Sequence, residues 1–517
     1  MAKINQLKVG SLLSYTQMFL GVVISLLYTP VMLNLLGQSE YGLYNTVAST
    51  ISVLSLLNLG FNSGYIRYFA KYKKENNLNS IWKLNGLFLI IFTVIGVVAL
   101  ACGLFLSFNL ELVFAEGLTA SEYSLAKILM LLLTVNLATS FPMSVFSHII
   151  SANEKFVFLK LISVIKTVLN PLVTLPLLLM GFRSVAIVAV TLAFSLVTDL
   201  LFLYYVFKKL KYKFEFSGFE KGVVKSLFGY TAFIAINLIV DQINWNVDKI
   251  LLGRFKGTNA VAVYSVGYTL YQYYMMLSTP ISSMFTPRIH RIVNETNENK
   301  ELQKSQLTEL FVKVGRIQFL ILSLFSTGII FFGKDFITKY WAGEEYSDAY
   351  YVALLLVLPA TVALIQNLGI EIQRAQNKHK FRALVYLAMA VINVVLSIFL
   401  CQKYGAIGSA IGTAISLVLA NGLAINLYYH YRCNVNAVLF WKNILRMSLG
   451  LVIPVLSGIL LNKYLAHFGI WQYLFAILIY TCIYCVSMWF LGINAYERGM
   501  FLKLIKKGLG KRNGDNK

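Results

Sequence analysis

Long apolar runs without alternation dominate the chain. Windows of about 17–25 apolar residues suffice to cross a bilayer. Such windows fall at 9–33, 43–65, 84–108, 124–147, 157–180, 184–207, 226–252, 260–284, 309–332, 349–372, 383–401, 406–429, 440–461 and 471–492. Because apolar and polar positions do not alternate within them, they predict helices rather than barrel strands. The fold class expected is all-α, a polytopic membrane protein with fourteen transmembrane helices. The longest polar connections, 208–225 and 285–308, are too short for a soluble domain. Any chemistry must therefore take place inside the helix bundle.

Composition supports the same reading. Of 517 residues, 58% are hydrophobic and 13% charged, whereas a soluble domain carries about 25% charge. The net charge of +23, from 45 Lys and Arg against 22 Asp and Glu, would suggest nucleic acid in a soluble protein. In a membrane protein it sets topology instead. With both termini cytoplasmic, the predicted inner segments hold 31 Lys and Arg and the outer loops 7. A missed or extra span would invert every later loop and spoil that bias. Nucleic acid is accordingly not an expected partner. Five cysteines exclude a disulfide framework, and the CxxC of Cys482 and Cys485 lies inside an apolar run, where it reads as packing. The basic start MAKINQLK precedes an apolar run of about 25 residues without a small-residue cleavage site, so the run is expected to stay as the first helix. There is no GxxxxGK[ST] loop and no HExxH. His148, His290, His379 and His430 fall at cytoplasmic span ends and His467 outside, so no ligand cluster is expected.

The two halves of the chain resemble each other weakly. Ser14-Tyr15-Thr16 matches Gly229-Tyr230-Thr231, and Leu35-Leu36-Gly37 with Tyr44 matches Leu251-Leu252-Gly253 with Tyr264. Ala152 and Asn170 match Ala375 and Asn393, and Gly181 and Ala186 match Gly405 and Ala410. The matches keep their order, as a repeat of six spans would. An even repeat puts both copies in the same orientation, as two parallel lobes around a central cavity. The expected organisation is an N-lobe at 1–208, a basic cytoplasmic linker at 209–225, a C-lobe at 226–432, and two added helices with a basic tail at 433–517.

Three stretches carry a family resemblance. NLLGQSEYGLYN at 34–45, VDKILLGRFKGTNAVAVYSVGY at 247–268 and YGAIGSAIGTAIS at 404–416 resemble Wzx-type polysaccharide and O-antigen flippases. These belong to the multidrug/oligosaccharidyl-lipid/polysaccharide exporter superfamily. The resemblance implies translocation of an undecaprenyl-diphosphate-linked oligosaccharide from the cytoplasmic to the periplasmic face of the bacterial inner membrane. O-antigen, capsule or exopolysaccharide assembly would follow. It also implies a cavity between lobes, alternating access, and coupling to H⁺ or Na⁺. Implied partners are the lipid-linked substrate, membrane lipids, a polysaccharide polymerase and chain-length proteins. Rival readings are a drug/cation antiporter of the same superfamily and a lipid II flippase. An O-antigen polymerase, the enzyme alternative, would show a long outer loop with arginines, and the predicted outer loops are short.

Ionisable groups inside membrane helices are costly and mark function by default. In the seventh span Asn237, Asp241, Asn244 and Asp248 fall on one stripe at 100° per residue. They would line a cavity, with Asp241 the main ion-coupling candidate and Asp248 and Asp199 behind it; interhelical bonding is the bland alternative. Lys166 and Asp199 lie at similar depths in adjacent spans. They read either as a structural ion pair or as a cavity lysine that attracts the diphosphate. Arg67, Arg288 and Arg316 near inner span ends would draw in the headgroup, or simply set topology. Tyr264, Tyr268 and Tyr271 share a helix face suited to sugars or to packing. Asn58 and Asn62 are weaker candidates. Gly408, Gly412 and Ser416 read as small-residue helix packing.

Overall fold

A computed structural model describes residues 5–114, 118–218, 238–296, 298–465 and 469–500, together with 231, 235 and 502. Among them every regular element is helical. The longer helices in the first half are α1 (Gln6–Val53), α2 (Phe61–Lys74), α3 (Leu78–Phe108), α4 (Ala120–Ala152), α5 (Phe156–Leu179) and α6 (Arg183–Tyr204). After the 209–225 stretch come α7 (Asp248–Phe255), α8 (Thr258–Met276), α9 (Lys300–Asp335), α10 (Ala349–Leu364) and α11 (Leu368–Ala375). The chain ends with α12 (His379–Leu417), α13 (Ala437–Ser448), α14 (Val452–Leu465) and α15 (Ile470–Ser487).

Several helix starts are capped by polar side chains. Asn77 accepts from the Ser80 amide at 3.0 Å, and Asn436 does the same for Leu439 at 3.0 Å. Thr119 and Glu122 form a reciprocal capping box at the start of α4. Large apolar side chains point away from the protein all along the spans: Phe19 is 68% exposed, Leu27 71% and Phe399 69%. In water such a surface would aggregate; in hydrocarbon it is the solvated face. Charge is withdrawn to the helix ends, as in the Lys71, Lys73 and Lys74 cluster that closes α2.

Nine helices among the described residues are long and apolar enough to cross a membrane, ten if the bent α10–α11 pair (43°) counts as one span. The sequence predicts fourteen. Part of the difference comes from two continuous helical stretches, Lys8–Lys74 and Lys380–Arg432, of 67 and 53 residues. At about 1.5 Å per residue the first would measure roughly 100 Å, over three times the hydrocarbon thickness of about 30 Å. Each is broken at a glycine, and the first again at Leu59–Gly60, where φ is 48° and 76°. Gly37 has φ 75° and ψ 168°, and Gly405 has φ 59° and ψ −135°, backbone that a residue with a Cβ resists. Part of the predicted seventh span, 226–252, also lies outside the described residues.

By packing, the chain forms two compact units. One holds Met1–Val266 with Tyr386–Thr413, and the other Gly267–Val385 with Ala414–Lys517. In the first unit an aromatic core of Phe61, Tyr65, Phe88, Phe92 and Phe146 joins α2, α3 and α4. The segment after Gly37 crosses the α7–α8 turn at close range. A Cβ on Gly42 would overlap the Thr258 carbonyl oxygen, and one on Gly253 would lie 2.5 Å from the Thr46 methyl. The Ser39 and Thr258 hydroxyls meet there at 2.8 Å. Gly42→Ala should therefore cost more than Gly253→Ala, since a carbonyl within a helix cannot step aside as a threonine side chain can. Thermal unfolding of the two purified variants in detergent checks that order. Equal midpoints would mean that the crossing is loose.

Candidate functional site

Two polar centres lie within the membrane helices of the first unit. The first is built around Asp248, which is 3% exposed. Its Oδ1 accepts from the Ser397 and Ser409 hydroxyls at 2.8 and 2.6 Å. Its Oδ2 accepts from the Tyr264 and Thr413 hydroxyls at 2.8 and 2.7 Å. Four hydroxyl donors to two oxygens suit an ionised carboxylate, which only accepts. The Asn393 amide oxygen also lies 3.1 and 3.3 Å from the Ser397 and Thr413 hydroxyl oxygens. One hydroxyl proton serves one acceptor, so Asn393 competes with Asp248 for those two protons. Together the groups form an all-oxygen shell around one negative charge.

Local sequence explains how this shell forms. Gly405 reverses α12 so that its two arms lie side by side. A Cβ on Gly408 would overlap the Leu400 carbonyl, and one on Gly412 would come within 2.8 Å of the Ser397 Oγ. The two glycines thus let Asn393 and Ser397 on one arm approach Ser409 and Thr413 on the other. Small-residue packing, expected for Gly408 and Gly412, is what the helix does there. Asp248 itself follows a π-helical turn, Ile243–Val247. The wider turn changes the angular register, and π-bulges often mark functional sites. It also breaks the regular stripe expected for this span: Asp241 is exposed and Asn244 half-buried, while Asp248 is buried. Asn237 lies outside the described residues. Polar bonding on this stretch runs through residues the sequence did not single out. Asn246 donates to Ser52 at 3.1 Å, and Gln242 donates to Ser55 at 2.9 Å.

The second centre is a cavity of about 460 Å³ between α1 and α5. Its lining includes Gln17, Ser25, Tyr28, Lys166, Thr167 and Asn170. Lys166 is half-buried and donates to Ser195 on α6 at 3.0 Å. Asp199 lies one turn farther along α6, also half-buried. The lysine therefore lines the cavity and bonds to Ser195, while among the described residues no ion pair within 4.0 Å joins Lys166 to Asp199.

The remaining predicted residues are scattered. Arg67 on α2 and Arg288 on the Thr286–Glu295 helix are exposed. Tyr264 is taken up by Asp248, while Tyr268 and Tyr271 pack on each other with ring centroids 5.5 Å apart. Arg316 differs from its expected place near the headgroup's approach. It is 4% exposed in the second unit, and its Nε and Nη2 donate to the Glu497 carboxylate at 2.6 and 2.8 Å. Its Nη1 and Nη2 also reach the Asn443 and Gly492 carbonyls at 3.2 and 3.0 Å. A guanidinium so committed ties four acceptor oxygens of this unit together. Arg316 and Glu497 also line a larger cavity of about 660 Å³, where Lys304 and Lys313 stand against Glu301 and Glu309. No three His, Cys, Asp or Glu converge on a metal site among the described residues.

Known proteins share this architecture. A Shigella flexneri protein named as an O-antigen transporter is 22% identical over 414 residues, covering 77% of this chain and 92% of its own length. A Haloferax volcanii protein, Agl15, named as a flippase of low-salt glycan biosynthesis, is 23% identical over 38% of this chain and 40% of its own. Among solved structures, the lipid II flippase MurJ in an inward closed conformation aligns with a TM-score of 0.66 at 15% identity, over 92% of this chain and 97% of that one. An inward-facing multidrug resistance transporter of the MATE family aligns with a TM-score of 0.65 at 14% identity, over 82% and 99%. At such identities the two structures share the fold alone. The family of polysaccharide biosynthesis proteins matches residues 8–293, more than half of the chain, and this chain belongs to it.

Proposed function

We propose that this chain flips an undecaprenyl-diphosphate-linked oligosaccharide across the bacterial inner membrane, for O-antigen, capsule or exopolysaccharide assembly. The observation that carries this reading is the intramembrane cavity of about 460 Å³, where one lysine stands among hydroxyl and amide side chains. These polar groups stand beside Ile24 and Pro171, and hydrogen-bonding groups set against apolar ones suit the edges and faces of a sugar headgroup. The polyprenyl chain stays in the bilayer while the headgroup crosses inside, as two parallel lobes of six helices alternate their access. Both termini lie in the cytoplasm, with the basic 209–225 stretch as the linker. Exposed Arg67 and Arg288 attract the headgroup at the cytoplasmic face. The protein is a carrier rather than an enzyme, and its product passes to a polymerase and chain-length proteins.

Coupling to H⁺ or Na⁺ is assigned to Asp248, because the oxygen shell is around it; Asp241 and Asp199 come behind. Carboxylate, hydroxyl and amide oxygens are the ligands a hard cation selects, and the same carboxylate can take a proton instead. A drug/cation antiporter has the same fold, and the MATE likeness favours it as the second reading. Its cationic cargo would want an acidic cavity, whereas the cavity beside α5 carries Lys166. A lipid II flippase differs in cargo alone.

The test is a deletion strain in which the sidedness of polyprenyl-linked oligosaccharides is assayed. Complete units should accumulate on the cytoplasmic face and be released by the wild-type gene. Lys166→Gln should restore release only weakly. Unchanged sidedness and surface glycan, in a strain without a second flippase, would sink the reading in favour of the antiporter. Accumulation of lipid II alone would redirect it to the peptidoglycan precursor.

A further inference from the structure

The two halves of the chain carry the same small polar motif around different centres. In the second half Asn393 meets Ser397, four residues on, and Thr413 on the returning arm. In the first half Asn170 meets Thr174, four residues on, at 3.3 Å, and Thr191 on α6 at 3.3 Å. The positions before each helix break also correspond. Asp248 lies nine residues before Gly257 and sixteen before Tyr264; Tyr28 lies nine before Gly37 and sixteen before Tyr44. Gly37 and Gly257 share a positive φ of 75° and 78°. Tyr28 therefore stands where the second half has Asp248.

The two centres differ in what fills them. Four hydroxyls complete the shell of Asp248. The Tyr28 hydroxyl is buried and has no partner. A buried hydroxyl left unsatisfied costs about 1–3 kcal/mol, a cost that a small turn of the Tyr28 side chain toward a ligand in the cavity would recover. Tyr28 and Asn170 both line the open cavity, with Lys166 as its one charged residue. That lysine already donates to Ser195, one turn from the Asp199 carboxylate. A diphosphate seeks arginine forks or several cations. This lining instead offers uncharged groups that both give and accept, the complement of sugar hydroxyls, in a volume typical of small-molecule sites, about 300–1,000 Å³.

We propose that the first-half cavity reads the saccharide of the lipid-linked headgroup through Tyr28, Asn170 and Lys166, and that the diphosphate is held elsewhere. The halves thus divide the work, with sugar recognition in the first and the ion in the second. This inference rests on the flippase reading and assigns the saccharide, rather than the diphosphate, to these side chains.

The experiment uses the full-length protein in lipid nanodiscs and three probes. One is the lipid-linked oligosaccharide extracted from the deletion strain. Another is undecaprenyl diphosphate. The third is the phosphate-free oligosaccharide released from that extract by mild acid. Wild type should bind the glycosylated lipid about tenfold tighter than the bare diphosphate, an advantage worth one or two hydrogen bonds. The free oligosaccharide should compete. Tyr28→Phe, which removes a hydroxyl that bonds nothing in the protein, should erase most of that advantage, and Asn170→Ala should do the same. Binding of the bare diphosphate should stay within about twofold of wild type in both, since no hydrogen bond to it is lost. Loss of affinity for both lipids alike in Tyr28→Phe would overturn the proposal, as would an intact sugar advantage. If wild type binds neither lipid, the flippase reading itself falls.

Discussion

Asp248→Asn should reduce glycan export to the level of the deletion strain, with the protein still folded. The substitution keeps size and shape but exchanges an acceptor-only group for one that also donates. Two of the four hydroxyls that now donate to Asp248 must then turn and accept, which their rotors permit at modest cost. What disappears is the charge. A cation or proton shifts a conformational equilibrium only by its differential affinity for the two states, and without the carboxylate that affinity vanishes. In proteoliposomes, wild type should respond to an imposed gradient of H⁺ or of Na⁺. Asp248→Asn should respond to neither, with flipping at least about tenfold slower, since loss of a charged hydrogen-bond centre is worth about 1.5–3 kcal/mol. Ser409→Ala and Thr413→Val, which each delete one oxygen, should fall between. Gradient-driven flipping by Asp248→Asn at the wild-type rate would remove the ion site from this position.

Much of this was legible in the chain, for identifiable reasons. Lipid imposes continuous apolar helices, so the all-helical, membrane-spanning class follows from hydropathy. The repeat was visible in its broad order, through Asn170 with Asn393 and Gly181 with Gly405. Its finer register was not. Gly37 pairs by motif with Gly253, yet Gly253 sits inside α7, and Gly257 has the matching backbone. Leu-Leu-Gly is too common in such a chain to fix register, whereas φ reports the turn itself.

The carboxylate centre was half legible. Asp248 stood out as a charge in an apolar run, but a 100° periodicity could not foresee the π-helical turn that separates it from Asp241. Nor did the partners announce themselves. Ser397, Ser409 and Thr413 are ordinary hydroxyls in apolar helices, and their convergence depends on the reversal at Gly405. A usable signal existed in the two i, i+4 pairs, Asn393 with Ser397 and Ser409 with Thr413, on either side of a glycine-bearing turn. Lys166 stood out in the sequence because a lysine within an apolar span has few explanations. The ion pair of Arg316 was not legible because Glu497, its partner, lies 181 residues away.

That pair supports the second large effect. Glu497→Ala should destabilise the purified protein severely, by about 3–5 kcal/mol, because it strands the Arg316 guanidinium in a buried site. The side chains are 5% and 3% exposed, so the charge left behind is poorly hydrated. Arg316→Met should be nearly as damaging, leaving a buried carboxylate. The double replacement Arg316→Met with Glu497→Leu should recover most of the loss, because an apolar pair of similar volume avoids the desolvation that the ion pair must offset. Thermal unfolding in detergent reads all three, and the recovery is the strong non-additivity of residues in contact. Transport by the double variant then separates the two roles weighed for Arg316. If the arginine only ties α9 to the Asn443 and Gly492 carbonyls, the stable double variant should still export glycan. A well-folded double variant that exports none would return Arg316 to the path of the headgroup.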